Sequence, residues 1–572
     1  MSKATKLELT WVGKEDRPRP EPRILLEDAA KSYHAKARVS GQDSFDNTLI
    51  HGDNLLALKA LQHEYAGRVK CVYIDPPFNT QQAFEHYDDG VEHSAWLTMM
   101  RDRLEEIRKL LAVDGSVWVH LDDSEMHRCR CVLDEIFSPD NFLGTVIWEK
   151  SDSPRMDAEF FSSRHDYIIV YAKDRPSTRF NRIINDLGQL PEHYDKVDES
   201  GRPYYLKPLR AMGGQGDSRA ARPNLYFGVK APDGTEVFPK RQDGTDGAWR
   251  WSKEKIAEEQ ARIEWVEGRG GWTPYYRVYG DAEAGRPPET IWPHSEVGSN
   301  RTSKAEVKAL LPNLPPFSTP KPERLLRRII TVATNPGDVV LDSFAGSGTT
   351  GAVAHKMHRR WIMVELGDHC DSYILPRLHQ VIDGTDESGI SNVVDWHGGG
   401  GFRYYRLAPS LLEKDKFGQW VISKQYNAAM LSQAMCKFEG FTYAPSDTDY
   451  WNHGYSTERD FIYVTTQTLT RERLQKLSDD VGDNRSLLVC CSAFRVRDTS
   501  QFSNLTIKKI PKMVLNRCEW GRDDYSLEIR NLPSVTSEPE PVVTPAMNGR
   551  KKGKNGSMDL FAAVAERGAP SK

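Results

Sequence analysis

Residues 339–351 constrain the fold more than any other stretch. Val339-Val340-Leu341-Asp342 is a short apolar run. Ser343-Phe344-Ala345-Gly346-Ser347-Gly348-Thr349-Thr350-Gly351 follows, spaced G-x-G-x-x-G, and opens an apolar helical pattern. Glycines at that spacing let the backbone turn tightly and approach a ligand. The next strand pattern, Trp361 to Glu365, ends on a carboxylate nineteen residues after Gly346. A carboxylate there accepts hydrogen bonds from ribose hydroxyls. Strand, turn, helix and strand in this order demand a parallel sheet covered by helices. Two ligand classes stay open at this point, a dinucleotide and S-adenosylmethionine.

A second α/β run lies upstream. Asn47 to His51 and Lys70 to Ile74 read as strands, with a helical pattern from Asn54 to Tyr65 between them. Trp96, Leu97, Met100, Leu104, Ile107, Leu110 and Leu111 recur at helical spacing over 94–112, and Ser116 to Leu121 reads as the next strand. These patterns divide the chain into a loose N-terminal arm (1–45), one α/β half (46–173), an insertion rich in Gly, Pro, Arg and aromatics (174–318), and a second α/β half (319–409). A small mixed α/β region (410–533) and a Pro-, Gly- and Lys-rich tail expected to be disordered (534–572) complete it.

Asp75-Pro76-Pro77-Phe78 closes the strand Cys71 to Ile74. Two prolines stiffen the turn and remove two N–H donors, so neighbouring carbonyls project outward. One carboxylate and one carbonyl at a rigid point accept both hydrogens of an amino group, while an adjacent aromatic stacks on the ring bearing it. That suits the exocyclic amine of a nucleobase flipped out of its stack.

Together the two motifs resemble the β-class amino-methyltransferases of DNA, and more closely the modification subunit of type III restriction-modification systems. Gly52-Asp53-Asn54-Leu55, Phe317-Ser318-Thr319-Pro320-Lys321-Pro322 and Val364-Glu365-Leu366-Gly367 add to the match, which covers residues 45–407. The resemblance implies a Rossmann-like S-adenosylmethionine-dependent sheet in permuted order. The catalytic motif precedes the cofactor motif, and the insertion is the target-recognition region. It implies that Asp75, Pro76, Pro77 and Phe78 form the catalytic turn. Phe78 stands where the family usually has Tyr, and the initial Asp favours adenine N6 over cytosine N4. For the cofactor it implies Asp342, Phe344, Gly346, Gly348 and Thr349 around the methionine part, and Glu365 on the ribose. Lys321 would lie near the cofactor carboxylate and Asp53 beside its adenine. The implied activity is site-specific adenine-N6 methylation of double-stranded DNA within a restriction-modification or phage-defence system. The alternatives are a cytosine-N4 enzyme and a non-catalytic recognition subunit that keeps the pocket. A homodimer and a separate restriction or helicase subunit are the implied partners.

Composition excludes little beyond this. A net charge of −4 neither advertises nor forbids DNA binding, which needs only a local basic face. Eight cysteines without a C-x-x-C pair suit a reducing bacterial cytoplasm, close to the nucleoid, and no apolar run reaches membrane length. No metal is expected: His120, Asp122 and Asp123 read as strand-end caps, and His165-Asp166 as structural. Met558-Asp559-Leu560-Phe561 in the tail is similar to peptides that dock on the replication sliding clamp, with Leu560 and Phe561 as anchors.

Overall fold

The computed structural model describes residues 8–78, 89–183, 193–212, 216–268, 270–280 and 285–526. The clamp-like Leu560 and Phe561 and the rest of the 534–572 tail lie outside them.

An 11-stranded sheet organises the chain. Its early strands are β1 (Leu25–Glu27), β2 (Tyr33–His34), β3 (Asn47–His51), β4 (Val69–Ile74), β5 (Leu111–Leu121), β6 (Phe142–Glu149) and β7 (His165–Ala172). The insertion holds β8 (Lys196–Val197), β9 (Pro203–Pro208), β10 (Val229–Lys230), β11 (Glu236–Val237), β12 (Ile263–Gly268) and β13 (Gly271–Tyr279). β14 (Ile291–Trp292), β15 (Val339–Asp342), β16 (Arg360–Glu365) and β17 (Gly401–Leu407) return to the main sheet. Its order is β1-β17-β3-β16-β15-β4-β5-β7-β6-β14, with β2 also on β17. The strands from β17 to β5 are parallel and β7 runs against β5.

Helices cover both faces, as strand alternation dictates. Val72 and Ile74 point to the face packed by α1 (Asn54–Tyr65), α2 (Asp89–Leu110) and α3 (Met126–Phe137). Cys71 and Tyr73 point to the other face. That face is packed by α7 (Glu323–Ala333), α8 (Thr349–Lys356) and α9 (Leu375–Asp383), after α4 (Lys253–Glu258) in the insertion, α5 (His294–Val297) and α6 (Asn300–Leu310).

Two boundaries differ from the sequence reading. The arm is not loose: β1 and β2 pair antiparallel with β17, and the Trp11 indole donates to Thr98 Oγ1 on α2. The insertion is shorter than 174–318, because β14 pairs with β6 and the 300–310 helix is already part of the scaffold. Its own core is the sheet β12-β13-β9-β8 around Leu209, Trp249 and Trp251. The 410–533 region forms a five-stranded sheet in which Asp460–Leu469, Ser486–Phe494 and Leu505–Lys509 run parallel.

Candidate active site

β4 and β15 are neighbours, so the turns after them emerge side by side at one edge of the sheet. Between them lies a cavity of about 280 Å³. Asp75, Pro76, Pro77 and Phe78 form one wall, Asp342, Phe344, Gly346, Thr349 and Glu365 the floor, and Phe317 and Lys321 the third side.

The floor is held by its own carboxylates. Asp342 Oδ1 accepts from Phe344 N at 2.9 Å, and Oδ2 from the Thr350 hydroxyl at 2.5 Å. Burial pushes the Asp342 carboxyl up to about 7. Glu365 Oε2 accepts from Gly346 N at 2.8 Å, which fixes the glycine-rich turn to the end of β16. Its Oε1 accepts from Gly367 N at 2.9 Å and faces His369 Nε2 at 2.9 Å. Burial pushes Glu365 up, but His369 and these amides outweigh it and hold the carboxyl below its usual value, while Glu365 raises His369. Three partners leave about one of the four carboxylate lone pairs free.

The catalytic wall is built differently. Trp96, buried on α2, donates its indole N–H to Pro77 O at 2.8 Å and pins the double-proline turn from below. Asp75 Oδ2 is paired with Lys321 Nζ, whose ammonium also lies 5.6 Å from the Phe78 ring centroid. Asp75 Oδ1 is buried and has no hydrogen-bond partner among the described residues. Behind the wall, Tyr73 OH meets His120 Nδ1 at 2.8 Å, and His120 Nε2 meets Asp166 Oδ2 at 3.3 Å. Lys150 Nζ closes the chain on Asp166 Oδ1 at 2.6 Å. Burial favours the neutral acid at Asp166, yet His120 and Lys150 keep it ionised below its usual value. His120, read from the sequence as a strand-end cap, is instead buried inside this supporting network with Asp166.

The model of the DNA methylase family matches residues 69–374, spanning both motifs and the insertion between them. The chain belongs to this family. Three relatives place the methylase further. It is 30% identical over 413 residues to the "Probable type III restriction-modification enzyme HindVI Mod subunit" of Haemophilus influenzae, covering 64% of this chain and 54% of that one. The EcoPI Mod subunit of Escherichia phage P1, a type III restriction-modification enzyme, is 29% identical over 66% of this chain and 64% of its own. The DNA adenine methyltransferase YhdJ of Escherichia coli is 22% identical over 58% of this chain and 82% of its own. The methylase thus spans between half and two thirds of the first two relatives.

Two sequence assignments move. Asp53 does not line the cavity. Its carboxylate caps α1 through Leu56 N at 3.1 Å, pairs with the buried Arg103 at 3.3 Å, and accepts from Tyr525 N at 2.9 Å. Gly348 does not open on the cavity either. It has φ +77°, and a Cβ there would meet Ile374 at 3.0 Å. Gly346, at φ +54° with nearest neighbours 3.8 Å away on Phe317, is the glycine that faces the space. The Lys321–Asp75 pair went unseen because 246 residues separate its members. The rigid Thr319-Pro320-Lys321-Pro322 segment was its one local signal.

Proposed function

We propose that the methylase transfers a methyl group from S-adenosylmethionine to the N6 amine of adenine in double-stranded DNA. In this reading it is the modification subunit of a restriction-modification system, acting as a homodimer with a separate restriction or helicase subunit. The observation that carries the chemistry is the unpartnered, buried Asp75 Oδ1 on the wall of a cavity whose floor is a glycine-rich turn. A buried carboxylate oxygen without a donor costs about 1–3 kcal/mol, so it marks a place where a substrate donor belongs.

The residues fit the cofactor. Gly346 leaves room where any Cβ would intrude, Asp342 and Glu365 make the floor anionic, and Phe344 and Phe317 supply apolar walls. Two ribose hydroxyls on Glu365 need the His369 contact to yield, because the amides of Gly346 and Gly367 already hold the carboxylate. When bound, the cofactor supplies a methyl group made electrophilic by its sulfonium. Asp75 Oδ1 accepts one N–H of the target amine. The carbonyl of Pro76 accepts the other, since Pro77 O is taken by Trp96. Phe78 stacks on the base. Two acceptors draw the amine toward a pyramidal shape and aim its lone pair at the floor, so positioning supplies most of the rate. Lys321 holds Asp75 through Oδ2, which leaves Oδ1 turned to the target amine.

Adenine rests on Asp75 at the first motif position and on the likeness to an adenine enzyme. Mass spectrometry of digested product DNA tests it. N6-methyladenine is the expected product, and N4-methylcytosine alone overturns the assignment. DNA that takes up no label from methyl-labelled cofactor leaves the non-catalytic alternative.

A further inference from the structure

Three of the most exposed apolar side chains of the methylase sit within six residues of one another. Met156 is 93% exposed, Phe160 85% and Phe161 95%. They occupy the connection between β6 and β7, and sheet register says where that connection points. Ile74 pairs with Val119 on β5, Leu121 pairs with Tyr167 on β7, and His165 pairs with Glu149 on β6. Residues 150–164 therefore leave the sheet at the same edge as Asp75, two strand spacings or about 10 Å to the side.

The connection is anchored. Lys150 N and Ser151 N both donate to Arg164 O, at 2.9 and 3.3 Å, which extends the β6–β7 ladder outward as a stalk. Arg164 Nη2 is held by Glu149 Oε1 at 2.6 Å and Ser151 O at 3.1 Å. Lys150 O accepts from Asn300 N at 2.9 Å, and Asp152 pairs with Arg301 at 3.0 Å, so the stalk is also tied to the scaffold helix α6. Arg155 N donates to Ser162 Oγ at 2.6 Å and closes a tip that carries all three apolar residues. The fold thus spends many polar contacts on holding two adjacent phenylalanines and a methionine in water. Side chains of this kind gain most when buried, so leaving them in water calls for a partner.

The charge of the segment narrows what the tip is for. Lys150, Arg155 and Arg164 are matched by Asp152, Asp157 and Glu159, so the connection is neutral and makes a poor phosphate clamp. Flat apolar rings on a neutral stalk suit the interior of a base stack instead. Such a partner is required here on the reading above: an adenine that reaches Asp75 leaves a hole in the duplex, and its lost stacking has to be replaced.

We propose that the 155–162 tip is a wedge that enters the duplex beside the target, with Phe160 and Phe161, backed by Met156, filling the space vacated by the flipped adenine. The inference rests on the proposed DNA methylation, and its test separates the two. The full chain and its Phe160→Ala/Phe161→Ala variant are compared on duplexes containing the site found by sequencing wild-type-methylated DNA. One duplex carries 2-aminopurine at the target position. In two others the target adenine is either paired normally or placed opposite an abasic site. The variant should lose the fluorescence rise and methylate the paired target at least about tenfold more slowly, yet recover to near wild-type rates on the unpaired target, where flipping is already cheap. Cofactor affinity should not change, and Phe161→Trp should retain most of the paired rate. An equal loss on both targets, or unaltered flipping, overturns the wedge. So does normal methylation accompanied by a changed oligomeric mass, which would make the tip a protein contact. Failure of the wild type to methylate any duplex strikes the underlying reading instead.

Discussion

The two turns that face each other across the cavity differ in how their carboxylates are used. Around the glycine-rich turn each carboxylate oxygen has a partner: Asp342 is held by Phe344 N and Thr350, Glu365 by Gly346 N, Gly367 N and His369. Across from it Asp75 has one oxygen on Lys321 and one left alone. The floor is therefore preformed for a ligand that must be held, and the wall keeps an acceptor in reserve for a ligand that must be aimed. Affinity and rate are expected to be separable by mutation, each on its own side.

The largest effect should come from the reserve. Asp75→Ala removes the acceptor and leaves Lys321 unpaired, and methyl transfer should fall by about a thousandfold or more. S-adenosylmethionine affinity, measured by calorimetry, should stay within about threefold, because Asp75 holds none of the floor. Near wild-type turnover would end the catalytic assignment, and a matching loss of affinity would end the division between the two sides.

The floor is probed by two glycines with the same backbone signature. Both have positive φ, which costs an L-residue about 1–2 kcal/mol. Gly346→Val should in addition weaken cofactor binding by at least about tenfold, since its side chain enters the space meant for the ligand. Gly348→Val should mainly lower the melting temperature, because its side chain strikes Ile374. If the folded Gly348 variant were the one to lose affinity, the orientation of the turn would be wrong.

A smaller effect concerns protons. Asp342 is pushed up to about 7 by burial, from 3.8 in the unfolded chain. The folded state then holds the extra proton between these values, so this group makes folding less favourable as pH rises through that window. A cationic sulfonium above the floor prefers the ionised carboxylate. Cofactor affinity should therefore rise several-fold between about pH 5.5 and about pH 7.5 and flatten above. Asp342→Asn should reduce the slope. The loss of the proton from His369, raised by Glu365, acts in the same direction and accounts for what slope remains.

The smallest effect lies outside the cavity. Tyr525 N donates to Asp53, Arg103 joins Asp53 to Asn54, and Asn54 Nδ2 donates to Ser343 O at 2.8 Å, at the foot of the glycine-rich turn. Tyr525→Pro deletes one donor worth about 1 kcal/mol, so cofactor affinity should fall at most about fivefold with the turnover number unchanged. A large loss of turnover would show that this relay serves the wall as well as the floor.

The sequence showed what is local. A strand, a glycine turn and a carboxylate within 27 residues carry their own periodicity and turn chemistry, and so does a double-proline turn after an apolar strand. What it hid is made of distant partners. Lys321 looks like any lysine between prolines until the fold sets it against Asp75. Asp53 follows a glycine in a family motif, yet its backbone position as a helix cap turns the carboxylate into the protein. The strands at Leu25–Glu27 and Tyr33–His34 have three and two residues, too few to show alternation, and become strands only by pairing with β17. Phe160 and Phe161 gave no signal, since a pair of phenylalanines in a sequence reads as core until the structure leaves it in water.

The order of the central strands has a consequence for synthesis on the ribosome. β3, β16, β15 and β4 lie side by side, so two strands from beyond residue 338 sit between two from the first seventy-five residues. β4, β5, β7 and β6 can pair among themselves, but the gap between β3 and β4 waits for β15 and β16, and the contact that ties Asp53 down waits for residue 525. At about 5–20 residues per second β3 and the open edge of β4 wait many seconds for these partners. The residues that line the cavity run from Tyr73 to His369, so no fragment ending short of that point has a complete cavity, and its two walls meet in a single step once β15 and β16 are in place.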